Sequence, residues 1–176
     1  MREFKDSEGR LWRLALTCAS AARIRDNVSI PDGSGGAKPF DLVEAKSLGD
    51  SIEAIRTNPI LRAEVLYVAM MPDIHSKQID REGFMGGLWG DELDTARVAL
   101  EAEVVSFSPG RLRAVVSSML AKMDELEAAV SARIQEAVTQ IRIAEPGMSS
   151  GSAPESSASI PANGPSANSQ TLPAAA

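Results

Sequence analysis

Trp12, Leu14 and Leu16 alternate with Leu11, Arg13 and Ala15, a period of two that predicts a strand with one buried face. Arg2–Lys5 is a second extended run, and Asp6-Ser7-Glu8-Gly9 supplies turn residues between the two, so residues 1–17 are predicted to form a β-hairpin. A lone hairpin is marginal in water, and the Trp/Leu face needs helices to pack on. Thr17 is placed to cap a short helix over residues 18–25.

After residue 40 the period becomes helical. Phe40-Asp41-Leu42-Val43 is predicted to re-enter the core, and Leu48, Ile52 and Ile55 form one stripe over residues 47–56. Asn58-Pro59 ends that helix and starts the next, with Asn as cap and Pro in the first turn. Residues 60–71, ILRAEVLYVAMM, are apolar on most faces and predict the central core helix, with Pro72 as its stop. Asp80 caps a short helix that continues through Leu88-Trp89. Asp91 and Asp94 resemble a capping box ahead of a stripe of Leu93, Ala96, Leu100, Val104 and Phe107. Ser108 and Pro109 repeat the cap-and-proline punctuation at the start of the last helix, which runs to Ile143, about 50 Å at 1.5 Å per residue.

Along that last helix Leu112, Val116, Met119, Met123, Leu126 and Val130 follow alternating steps of four and three, and Ile134, Ala137 and Ile141 resume after one further step of four. The pattern is a short heptad seam with a stutter. A helix of this length exceeds what a small core covers, so its part from Leu126 on is expected to pair with another chain as a coiled coil or to fold back on its own domain.

Two stretches carry no such period. Residues 27–39, NVSIPDGSGGAKP, read as a flexible surface loop; Ala37-Lys38-Pro39 after Gly36 lacks the Gly-Lys-Ser/Thr of a phosphate loop, and Pro39 would obstruct the helix start. From Pro146 to the end five of the ten prolines gather with a single charge, Glu155, a composition too poor in apolar surface to fold alone. The expected fold is mainly α: an N-terminal β-hairpin packed on a small helical bundle over residues 1–109, a long amphipathic helix over 110–144, and a disordered Ser/Ala/Pro-rich tail over 145–176.

Composition narrows the function. With one Cys and one His among 176 residues, a disulfide scaffold and a four-ligand zinc site are both excluded. No apolar run is long enough to span a bilayer, and the start of the chain lacks a secretory signal, so a soluble cytoplasmic protein is expected. The net charge of −6 argues against a nucleic-acid partner. Asp73, His75 and Asp80 are close enough in sequence to suggest a metal or proton-transfer site, but they follow a proline in a polar connector, where an exposed His is the ordinary outcome. Cys18 reads as a small buried side chain, and the acidic residues Asp91, Glu92, Asp94, Glu101, Glu103, Asp124, Glu125 and Glu127 as solvated helix faces. No catalytic constellation and no cofactor motif emerges, so no enzyme activity is expected.

The order of the segments adds a resemblance. Asp6-x-x-Gly9-Arg10-x-Trp12-x-Leu14-x-Leu16-Thr17, then Ala22-Arg23-Ile24-Arg25-Asp26 and Phe40-Asp41-Leu42, is similar to the small proteins of tailed-phage tail-gene clusters. So is Ile79-Asp80-Arg81-Glu82-Gly83-Phe84, followed by Leu88-x-Gly90-Asp91-x-Leu93, Ala96, Ala99-Leu100, Glu103 and Phe107. Over residues 1–109 the chain thus resembles a tail assembly chaperone of a long-tailed phage or prophage. It differs from that pattern at Ser106-Phe107-Ser108-Pro109, where paired aromatics are common, and in the glycine-rich residues 32–36, which read as an insertion. The resemblance implies a non-catalytic protein that binds the tape-measure protein and helps recruit tail-tube subunits. Leu112, Val116, Met119, Met123, Leu126 and Val130 are the expected contact stripe, with the intramolecular core as the competing use of the same residues. A minor structural component of the particle and a general helical interaction module are the alternatives.

Overall fold

The computed structural model describes the backbone of residues 1–144 and side chains through residue 140; the tail expected at 145–176 lies outside the described residues. The fold is mainly α, with a short N-terminal β-hairpin and a long C-terminal helix. The chain divides into two compact units, Met1–Ser131 and Ala132–Ala176.

In the first unit, strands β1 (Arg2–Lys5) and β2 (Leu11–Leu14) pair antiparallel with Phe4 opposite Trp12. The predicted alternation holds: Trp12, Leu14 and Leu16 are buried, and Leu11, Arg13 and Ala15 are exposed. Gly9 turns the chain at φ +76°, a conformation that glycine adopts at little cost. Helix α1 (Cys18–Asn27) starts with a reciprocal cap, the Thr17 hydroxyl accepting from the Ser20 N–H while Ser20 Oγ accepts from the Thr17 N–H.

Residues 27–39 depart from the expected flexible loop. Strands β3 (Ser29–Pro31) and β4 (Ala37–Pro39) form a second antiparallel hairpin, and Val28 and Ile30 are buried. The Asp32 carboxylate closes its turn by accepting from the N–H groups of Ser34 and Gly36. Each strand is three residues long, too short to display a period of two, so only the Asp-Gly turn betrayed it.

Helix α2 (Ala45–Thr57) buries Leu48, Ile52 and Ile55, and helix α3 (Pro59–Ser76) buries Leu61, Val65, Leu66, Val68 and Met70 at the centre of the core. Asn58 caps α3 through its side chain, as expected. Pro72 does not stop α3, which runs on to Ser76. A proline inside a helix loosens the carbonyls of the preceding turn, and here the Arg23 guanidinium, from α1, donates to the Ala69 carbonyl at 3.2 Å.

Helix α4 (Arg81–Gly86) is capped by Asp80, and helix α5 (Gly90–Phe107) buries Leu93, Ala96, Leu100 and Val104. Asp91 and Asp94 do not form the expected capping box: α5 begins at Gly90 without a side-chain cap, and Asp94 accepts from Arg62 at 2.8 Å. The two acidic residues of the first turn, Asp91 and Glu92, still suit the positive end of the helix. Ser108 does not cap the next helix either; its hydroxyl donates back to the Val104 carbonyl and finishes α5. Helix α6 spans Gly110–Ala144.

The core is one cluster that joins both hairpins to α1–α5 and takes in Val116 and Leu120 from α6. No described helix is long and apolar enough to cross a membrane.

Candidate functional site

α6 carries the predicted contact stripe, and the structure divides it. Val116 is fully buried, and Met119 and Met123 are half-buried against the core. Leu112 is half-buried as well. Leu126 and Val130 are 66% and 55% exposed. Leu120, which the four-three stepping omits, is buried in the core; its place one turn after Val116 was the available signal. The side of α6 that meets the core is therefore centred on Val116 and Leu120. The remaining apolar side chains of the stripe lie to one side of that line, joined by Val115, which is also bare.

These exposed residues line a shallow depression of about 550 Å³, formed by Val115, Ser118, Met119, Lys122, Met123 and Leu126 among others. Its wall is thioether, aliphatic and hydroxyl surface with a single charge, Lys122. Methionine side chains have three rotatable bonds and a polarisable sulfur, so such a wall adapts to apolar partners of varied shape. In the second unit Ile134 and Val138 are exposed in the same way.

α6 is held on its other side by charge. Arg56, at the end of α2, has a side chain only 3% exposed. It donates to Glu101 of α5 at 2.7 and 2.8 Å, to Asp124 at 2.8 Å and to Glu127 at 3.2 Å, both of α6. Arg97 adds a bond to Glu101 at 3.1 Å. Burial works against the Arg56 charge, but the surrounding carboxylates of Glu101, Asp124 and Glu127 outweigh it and hold the guanidinium pKa above its ordinary value. Glu101 and Glu103 are therefore not the solvated residues expected from sequence. Both are buried, and Glu103 accepts from the Leu16 N–H at 3.2 Å. Arg56 lies 45 residues from Glu101 and Leu16 87 from Glu103, separations that periodicity cannot reveal.

The other candidates for chemistry do not assemble. Asp73 and His75 are two apart on α3 and point to different sides of the helix; Asp73 pairs with Lys77 at 3.0 Å, and His75 is exposed. Asp80 is occupied as the cap of α4. Among the described residues no group of three His, Cys, Asp or Glu side chains could hold a metal ion. Cys18 is exposed rather than buried, because it occupies the first position of α1, outside the face that carries Ala21 and Ile24 into the core. It borders an open depression of about 430 Å³ with Ala22, Arg25, Val43 and Phe107, and no histidine is among its lining residues.

Compared with known protein families, curated proteins and solved structures, the chain finds no match in any of the three.

Proposed function

We propose that this protein is a non-catalytic tail assembly chaperone of a tailed phage or prophage, acting in the host cytoplasm. It binds apolar helical stretches of a tape-measure protein, keeps that chain in solution and helps bring in tail-tube subunits. The observation that carries the reading is the bare apolar side of α6, with Val115, Leu126 and Val130 exposed beside two half-buried methionines. An amphipathic helix of a client offers side chains at the matching spacing. The resemblance of residues 1–109 to tail assembly chaperones supplies the identity of the client.

Co-expression with the tape-measure protein of the same gene cluster tests this. The native chain should raise the soluble yield of that protein, and a variant carrying Leu126→Asp and Val130→Asp should not. An unchanged yield with the native chain would overturn the proposal, and finding the protein in purified particles would favour a structural component of the tail.

A further inference from the structure

We propose that in the free protein the apolar side of α6 is covered by α6 of a second copy, running antiparallel, so that residues 130–138 of each chain lie on residues 119–126 of the other. The pairing does not rest on the chaperone reading. A client helix would compete with it for the same surface.

The first argument is the continuity of the stripe. Met119 is followed by Val130, Met123 by Ile134 and Leu126 by Ala137, each after 11 residues. That spacing corresponds to about 3.67 residues per turn, close to a straight helix, so a second helix can follow it without strong supercoiling. Val130, Ile134 and Val138 are all half or more exposed, and a row of large aliphatic side chains in water ordinarily marks an interaction surface.

The second argument is the register. A two-fold axis between Ala128 and Ala129 sets Met123 level with Ile134 and brings Leu126 within one residue, about 1.5 Å, of the level of Val130; Val138, level with Met119, flanks the stripe, eleven residues after Glu127. Each contact occurs twice, as a self-complementary interface requires. The same axis sets Lys122 near Glu136 and Glu125 near Arg133. All four of these side chains are exposed, and none takes part in an ion pair among the described residues. A parallel pair in register would instead place Lys122, Glu125 and Arg133 level with their own copies, so like charges would face each other. Asp124 and Glu127 turn toward Arg56 on the other side of the helix, and the pairing leaves their bonds intact.

The test uses the full chain without a client. Sedimentation equilibrium should show a dimer, and a strict monomer at concentrations up to roughly 0.1 mM, where even a weak association of this kind would register, would overturn the proposal. Direction is read by disulfide formation in a Cys18→Ser background. Two copies of Val130→Cys would lie about 5 Å apart along the axis, and two copies of Val115→Cys about 40 Å apart, so the first should cross-link and the second should not. Cross-linking at 115 would overturn the antiparallel arrangement. Lys122→Glu alone should raise the dimer dissociation constant about three- to tenfold, and adding Glu136→Lys should restore it. Failure of the double variant to recover would overturn the register. All the substituted side chains are exposed, so the folded unit should survive each change, which far-UV circular dichroism checks.

Discussion

At the turn of the first hairpin the polar and apolar groups are satisfied together. The Asp6 carboxylate, buried, accepts from Trp12 Nε1 at 2.8 Å, from Arg10 Nε at 2.6 Å and from the Arg10 N–H at 2.9 Å. Arg10 also donates to the Gly83 carbonyl, and the Ser7 N–H to that of Gly87, which ties the turn to α4. A Cβ on Gly87 would lie 2.9 Å from the Arg10 guanidinium and 3.3 Å from Asp6, so a larger residue there would displace the Arg10 side chain from its place in the corner. Trp12 is closed off by Phe84, edge-on at 5.0 Å, and by the Lys77 ammonium over its ring at 4.0 Å. α6 is different. Two of its carboxylates, Asp124 and Glu127, are partnered by Arg56, while apolar side chains next to them, Leu126 and Val130, are bare. Both regions are amphipathic; one is finished within the chain, and the other leaves large apolar side chains exposed.

The contrast predicts unequal responses to truncation. Trp12→Ala would remove a fully buried aromatic together with the hydrogen bond to Asp6, and it should lower the unfolding free energy by about 3–5 kcal/mol. Urea denaturation of the native chain and the variant, followed by circular dichroism, measures the difference. A loss below about 1 kcal/mol, the level of an ordinary exposed site, would mean that the hairpin is not part of the cooperative core.

Asp6 tests the polar half of the same corner. Burial by itself pushes its carboxyl up, but the hydrogen bonds from Trp12 and Arg10, with the Arg10 charge, outweigh burial and hold the pKa below the ordinary 3.8. A carboxyl with a depressed folded-state pKa stabilises the fold above its unfolded value, and that contribution is lost as the pH falls through the folded value. Asp6→Asn should therefore cost about 1.5–3 kcal/mol at neutral pH. The difference between native and variant should shrink once the pH drops below 3.8. A difference independent of pH would show that the charge of Asp6 contributes nothing.

The legibility of these two regions from sequence differs for a physical reason. Trp12, Leu14 and Leu16 alternate over enough residues to declare a strand, and Asp6 and Gly9 declare its turn, so the hairpin could be read directly. Local capping was equally plain at Thr17, Asn58 and Asp80. Besides the short β3–β4 hairpin and the starts of α5 and α6, what escaped were contacts made across the chain. Glu101 looks solvated on a helical wheel until Arg56 is placed against it. Pro72 looks like a stop until Arg23 is placed beside Ala69. On α6 the apolar spacing was legible from Leu112 to Val130, but spacing is the same for a residue that meets its own core and for one left bare. The packing of the rest of the fold decides between them, and it leaves Val116 covered and Leu126 exposed.

The smallest expected effect is the most informative about α6. Leu126→Ser removes a large aliphatic side chain, yet the side chain is 66% exposed, so in dilute solution the unfolding free energy should change by no more than about 0.5 kcal/mol. Stability that depends on association rises with protein concentration, because the partner binds only the folded state. The native chain should therefore become more resistant to heat as its concentration is raised, while the variant stays nearly constant, and thermal melts over a dilution series separate the two. If native and variant rise together, the stabilising contact lies elsewhere on the molecule. If Leu126→Ser is destabilising even at the lowest concentration, the outer side of α6 is part of the chain's own core, and the difference between the two regions disappears.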